Sequence, residues 1–468
     1  MPHRLALEQM ADEIRRNRLA CRELVEAHLR QIERHNPKLN AFVEVFAEEA
    51  RAAARAADEA AARGQWLGRL HGVPLTVKDS FDVAGRPTYC GSRFRLSHRA
   101  AQDATAVARL RQAGAILLGK TNCPEFLANY ETDNHITGRT NNPWDLARTS
   151  GGSSGGEAAL IAARCSAGGL GSDGGGSIRI PAHFCGIAGL KPTPGRVSAA
   201  GHFPLINHPG GLLGVGGPMA RTAADVRLLF EETAGYDPDD PFSAPVPLRR
   251  PDLAGLRIGL LEQLHGVPVQ AAVRSAVQQT AVLLERLGFP LEPFQPRGLE
   301  RAHELWWFFF TELNAPAIRR LVTGREEEAH WTGTELFSRV WDQPEPTAGR
   351  VLENLAARDA MRTALLRQMQ GFPVLLAPAC GVVAFHHRER RWLAGERWID
   401  LLEAMTPVTF ANLLGLPALV IPVSLSGEGI PAGVQLIGRP YEEELLLEVA
   451  VRIEETRGPF SAPPGSLD

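Results

Sequence analysis

Val73-Pro74-Leu75-Thr76-Val77 and Ala115-Ile116-Leu117-Leu118 are short apolar runs bounded by glycine or proline. Thr105-Ala106-Val107-Ala108-Arg109-Leu110 lies between them. Runs of this length with such flanks read as buried strands, and the stretch between them reads as a helix. Alternation of this kind is the mark of an α/β sheet. Toward the C-terminus, residues 256–261, 374–377, 418–423 and 432–437 read as further strands. Residues 223–233, 270–287 and 442–455 read as helices. Toward the N-terminus, Leu5, Leu7, Met10, Ile14 and then Leu24, Val25, Leu29, Ile32 recur near helical spacing, so residues 1–64 are expected to be a helical segment packed on the core. Residues 65–468 are expected to form that core. Within it, residues 300–370 stand apart as a helical insert holding Trp306, Trp307, Phe308, Phe309, Phe310, Trp331, Phe337 and Trp341.

The bulk properties narrow the function. The chain has 468 residues, 44% hydrophobic and 22% charged, with a net charge of −3. It has no basic stripe, which argues against nucleic acid or an anionic membrane as partner. Six scattered cysteines include no C-x-x-C pair, so neither a zinc site nor a redox motif is expected. The N-terminus lacks the apolar core of a signal peptide, and no run approaches a spanning length. A cytoplasmic protein without metal or cofactor is expected. A homodimer is neither required nor excluded.

Two motifs look catalytic and are set aside. Gly114-Ala-Ile-Leu-Leu-Gly119-Lys120-Thr121 matches the phosphate-loop pattern letter for letter. That loop needs a strand before it and a helix after it, whereas here the middle of the motif is itself the strand. Gly151-Gly-Ser153-Ser154-Gly155-Gly156 contains G-x-S-x-G twice. A nucleophile elbow needs a buried strand leading into the serine. What leads in is Asn141-Asn142-Pro143-Trp144-Asp145-Leu146, a polar loop. His202, His208, His265, His303, His330, His386 and His387 could complete a Ser-His-Asp set, but nothing in their context selects one.

Three segments remain: Val77-Lys78-Asp79 at a strand end, the glycine-serine block 151–157, and Gly171-Ser172-Asp173-Gly174-Gly175-Gly176-Ser177-Ile178-Arg179-Ile180-Pro181. Singly they read as a lysine paired with Asp79, a flexible turn and a helix cap. Together, with Phe184-Cys185-Gly186-Ile187-Ala188-Gly189-Leu190-Lys191-Pro192 and Gly433-Val434-Gln435-Leu436-Ile437-Gly438, they resemble the amidase-signature family, in its stand-alone amidase form. The resemblance covers most of the chain and is weakest over 300–370.

That resemblance implies a large mixed β-sheet flanked by helices on both faces. It implies Lys78 as base, Ser153 as relay and Ser177 as nucleophile, with a cis peptide between Gly152 and Ser153. Backbone N–H groups of Gly174, Gly175, Gly176 and Ser177 would form the oxyanion hole. The chemistry is coherent. A serine needs a base to take its proton, lysine serves only when neutral, and burial disfavours the ammonium. Ser153 can accept from one neighbour while donating to the other. Ser154, Asp173 and Arg179 are expected to support the site, the last two as a local ion pair. Glu157 is expected to complement a helix dipole. Gly174 stands where the family often has a bulkier residue, and Ser150 where it often has proline.

The implied activity is hydrolysis of a small-molecule amide through an acyl-enzyme. Carbamate or ester hydrolysis, and a glutamine-hydrolysing component of a tRNA-dependent amidotransferase, remain as alternatives. Aromatics of 300–370 are expected mainly in the core, with some walling the substrate pocket. Residues 129–135 are expected near Ser153.

Overall fold

The structure, a computed structural model, describes residues 1–206 and 213–466. Its strands are β1 (Phe42–Val45), β2 (Pro74–Lys78), β3 (Ile116–Thr121), β4 (Gly168–Asp173), β5 (Ala188–Lys191), β6 (Val215–Ala220), β7 (Ile258–Leu260), β8 (Leu291–Pro293) and β9 (Val374–Pro378). A short hairpin, β10 (Arg391–Ala394) and β11 (Arg397–Asp400), precedes β12 (Ala418–Leu425) and β13 (Pro431–Gly438). All but the hairpin join one sheet in the order β1-β3-β2-β4-β6-β5-β12-β13-β9-β7-β8. The sheet is mixed: β2 runs parallel to β3 and β4, and β7 to β8 and β9, whereas β4-β6, β5-β12 and β12-β13 are antiparallel.

β2, β3, β4 and β9 are buried along their whole length. Strands covered on both faces carry continuous apolar runs rather than alternation, which is why the opening runs were legible. Helices flank the sheet, among them Gly155–Ala162, Arg179–Cys185, Ala271–Arg286 and Glu443–Arg457. None of the described helices is long and apolar enough to cross a membrane.

The N-terminal segment is not wholly helical. Helices Leu7–Arg15, Cys21–Leu39 and Ala47–Ala62 form, but Phe42-Val43-Glu44-Val45 adds an antiparallel edge strand to β3. Asn40 closes the second helix in the left-handed conformation, and the aromatic and β-branched residues after it suit a pleated edge. The segment's apolar side chains, from Leu7 to Ile32, merge with the main core.

The sheet positions the site through one pairing. Parallel β2 and β4 lie side by side, Thr76 opposite Gly169 and Val77 opposite Leu170. Their carboxyl ends therefore emerge together, one carrying Lys78 and the other Ser172 and Asp173. The crevice beyond such strand ends is the usual ligand position in open α/β sheets.

Candidate active site

Lys78 is fully buried. Its Nζ donates to Ser153 Oγ at 2.7 Å, to Ser172 Oγ at 3.0 Å and to the Ser172 carbonyl at 3.4 Å. Lys78 does not pair with its neighbour Asp79, as a lysine read singly at this strand end would. Successive residues of an extended chain point to opposite faces, and Asp79 instead meets Lys120 Nζ at 2.8 Å. Lys120, the lysine of the discarded phosphate-loop motif, also donates to the Pro87 carbonyl and Thr88 Oγ1. Lys78 is left among hydroxyls, with no carboxylate at ion-pair distance among the described residues. Burial pushes its amine down to about 8.

Ser153 follows a cis peptide from Gly152. Ser154 fastens this loop: its N–H donates to the Ser177 carbonyl at 3.1 Å, and its hydroxyl meets the backbone N–H and carbonyl of Ser172, each at 3.3 Å. Glu157 lies in the first turn of the helix that follows. It is buried, and it accepts from Thr76 Oγ1 and Thr121 Oγ1. Burial pushes its acid up to about 8.

Ser177 and Ser153 line one cavity of about 490 Å³. Among the described residues the Ser177 hydroxyl has no hydrogen-bond partner, Ser153 included. The glycine loop before it is held from behind. Trp306 Nε1 donates to the Gly174 carbonyl at 3.0 Å, Tyr130 Oη to the Gly175 carbonyl at 3.1 Å, and the Ile180 N–H to the Gly176 carbonyl at 2.7 Å. In a trans peptide the N–H points away from its carbonyl. The N–H groups of Gly175 and Ser177 therefore point away from these anchors, and like that of Gly174 they have no acceptor among the described residues. Gly176 departs from expectation: its N–H donates to Asp173 Oδ1 at 2.7 Å. That N–H is thereby already occupied. Glycine is needed there for backbone reasons, since φ is 112° and a Cβ would strike Ile180 and Val408. At Gly174 a Cβ would meet the Phe310 ring at 3.5 Å and Gly214 Cα at 3.9 Å, ordinary contacts, so the position has room for a Cβ.

Asp173 and Arg179 pair as expected, with Nε and Nη2 each 3.0 Å from a carboxylate oxygen. Both are buried, and Arg179 also donates to the Val408 carbonyl, Gln435 and Asn412. Burial works against the Asp173 carboxylate, but Arg179 outweighs it and holds the group well below the usual carboxylate range. The pair braces the glycine loop.

The cavity walls are apolar: Phe126, Leu127, Phe203, Leu205, Leu213, Phe310, Ile318 and Phe337. The aromatics of 300–370 thus divide. Trp306, Phe308 and Phe309 are core, while Phe310 and Phe337 face the cavity. Residues 129–135 serve as backing rather than wall. Tyr130 anchors Gly175, Thr132 Oγ1 donates to the Gly151 carbonyl, and Glu131 pairs with Arg390. No histidine lines the cavity among the described residues, and His208 lies outside them. Sequence reasoning missed Ser172 and the Phe126-Leu127 wall, and it placed Tyr130 and Trp306 near the site or in the insert without their roles as anchors of the glycine loop. Of the residues missed, Ser172 had a local signal, its place beside Asp173 in the glycine-rich segment.

Comparisons with known proteins place the chain in a family. The Amidase family model matches residues 23–447. An indoleacetamide hydrolase of Bradyrhizobium diazoefficiens is 36% identical over 463 residues, spanning 95% of this chain and 85% of its own. A component chain of the glutamyl-tRNA(Gln) amidotransferase of an Anaeromyxobacter species is 34% identical over 494 residues, spanning 98% of each. A solved bacterial aryl acylamidase of the amidase-signature enzymes superposes with a TM-score of 0.86 at 26% identity, covering 97% of this chain and 96% of the other. The chain belongs to the amidase-signature family of hydrolases that act on amide bonds.

Proposed function

We propose that the chain cleaves the C–N bond of a neutral carboxylic amide bearing an apolar or aromatic group, through an acyl-enzyme on Ser177. The observation that carries this reading is Lys78, a buried amine 2.7 Å from Ser153 Oγ and free of any carboxylate partner among the described residues. Once neutral, the amine takes the Ser153 proton as Ser153 takes that of Ser177. Ser177 Oγ then bonds to the substrate carbonyl carbon. The N–H groups of Gly174, Gly175 and Ser177 receive the oxyanion, where one such donor contributes about 2.7–4 kcal/mol to lowering the barrier. The proton returns through Ser153 to the amide nitrogen, the C–N bond breaks, and the amine leaves. Water repeats the sequence on the ester and releases the acid.

The apolar cavity supports an aromatic or aliphatic substituent. A free amino acid would bring a carboxylate to a lining that holds no cationic side chain among the described residues, and an ammonium to Asp173, which is already paired with Arg179. The names of two relatives, an indoleacetamide hydrolase and an aryl acylamidase, point the same way. One observation favours a second reading, glutamine hydrolysis within an amidotransferase. A neighbouring cavity of about 270 Å³ shares Ile206 and Gly214 with the first and is lined by Arg358 and Arg362. Neither arginine has an ion-pair partner among the described residues, and a substrate carboxylate would suit them.

The test is a panel of aryl amides, aliphatic amides, carbamates, esters and glutamine given to the purified chain. Aryl amides are expected to turn over fastest, and glutamine outpacing them would favour the second reading. A fluorophosphonate should label the wild type and not Ser177→Ala. Near-wild-type turnover by Ser177→Ala would sink the mechanism.

A further inference from the structure

Phe126 and Leu127 are consecutive residues in the left-handed region, at φ 53° and 61°. Both line the cavity of Ser153 and Ser177. Residues with a Cβ seldom take this conformation, and two in succession persist only where their surroundings hold them. The holding group is their neighbour Glu125, 1% exposed. Its Oε1 accepts from Ser92 Oγ at 2.8 Å and its Oε2 from the His330 N–H at 2.6 Å. Its own N–H donates to Thr332 Oγ1 at 3.2 Å. No cation stands at ion-pair distance among the described residues, so the carboxyl is spent on these donors. Room for it comes from Gly333, where a Cβ would lie 2.5 Å from Glu125 Oε2. The cavity wall is thereby bolted to residues 330–333 of the aromatic-rich insert, more than two hundred residues away in sequence.

We propose that Glu125 is a positioning residue for substrate selectivity: with Ser92, His330 and Gly333 it clamps Phe126-Leu127 in the left-handed turn that shapes the cavity for a bulky apolar group. The inference rests on the amide reading of that cavity. Loosening the clamp should penalise a substrate that fills the cavity more than one that barely enters it.

The experiment compares an arylacetamide with propionamide in Glu125→Ala and in Gly333→Ala. These two variants disturb the same clamp from opposite sides. Each is expected to raise KM for the arylacetamide about tenfold more than for propionamide, with kcat changed far less than KM, as for lost uniform binding. Glu125→Gln keeps one of the two acceptors and should give the same pattern at smaller size, which covers a failure of Glu125→Ala to fold. Equal effects on both substrates, or none, would overturn the proposal. Hydrogen exchange gives an independent readout. The Phe126 N–H donates to Cys90 and the Leu127 N–H to Pro124, and both amides should lose protection in the variants. If the wild type hydrolyses neither amide, the functional reading fails while this exchange measurement still judges the clamp. Unchanged protection would then overturn the clamp on its own.

Discussion

Two buried lysines stand on neighbouring strands of the sheet, and their surroundings differ in one respect. Lys120 is the penultimate residue of β3 and Lys78 ends β2, with Val77 opposite Lys120 and Lys78 opposite Thr121. Both are fully buried. Lys120 has a carboxylate at 2.8 Å, and Lys78 has only hydroxyl and carbonyl oxygens. A buried ammonium facing a carboxylate keeps its charge, and one facing hydroxyls is driven toward the neutral amine. Equal burial thus leaves an ion-paired lysine on one strand and a candidate base on the next. The motif that looks like chemistry, G-x-x-x-x-G-K-T, holds the ion-paired one.

The largest expected effect breaks the pair apart by function. Lys78→Ala should lower kcat/KM on the best amide by about ten-thousand-fold, the scale on which members of a catalytic unit act. Lys78→Arg should be equally impaired, because guanidinium stays protonated. A Lys78→Ala enzyme within tenfold of wild type would remove the base assignment. The second effect separates the lysines by stability. Lys120→Met or Asp79→Asn leaves one buried charge unpaired and should cost about 3–5 kcal/mol in denaturant unfolding. Lys78→Met strands no counter-charge, only hydroxyl and carbonyl oxygens, and should cost less, about 1–3 kcal/mol. Equal losses would erase the distinction. The smallest effect is the pH profile. With the Lys78 amine near 8, kcat/KM should fall about tenfold per unit as pH drops below that value. Above it the rate should level, since the amine is then neutral. A profile flat from pH 6 to 9 would contradict a lysine base.

The sequence reached unevenly into this structure. The runs of β2 and β3 were legible because strands covered on both faces need unbroken apolar residues. β1 was not, because Phe42–Val45 lies among strong helix formers and gains its partner only from β3. Aromatic clustering over 300–370 signalled burial, but it could not separate Trp306 in the core from Phe310 at the cavity. Both lie in one short stretch, and only packing assigns each a direction. Gly176 joined the expected oxyanion donors because three glycines look alike in sequence, yet Asp173 claims its N–H.

By itself the sequence determined an α/β chain with Lys78, Ser153 and Ser177 on three glycine- or strand-bounded segments, because strand burial and tight backbone approach dictate residue type locally. Only the tertiary structure decided which lysine carries a counterion, which glycines present free N–H groups and which aromatics face the cavity. Those outcomes depend on partners brought from elsewhere in the chain: Lys120 beside Asp79, Tyr130 and Trp306 behind the glycine loop, and Ser172 beside Lys78. Burial and hydrogen-bond pairing act through space, and chain order leaves them open.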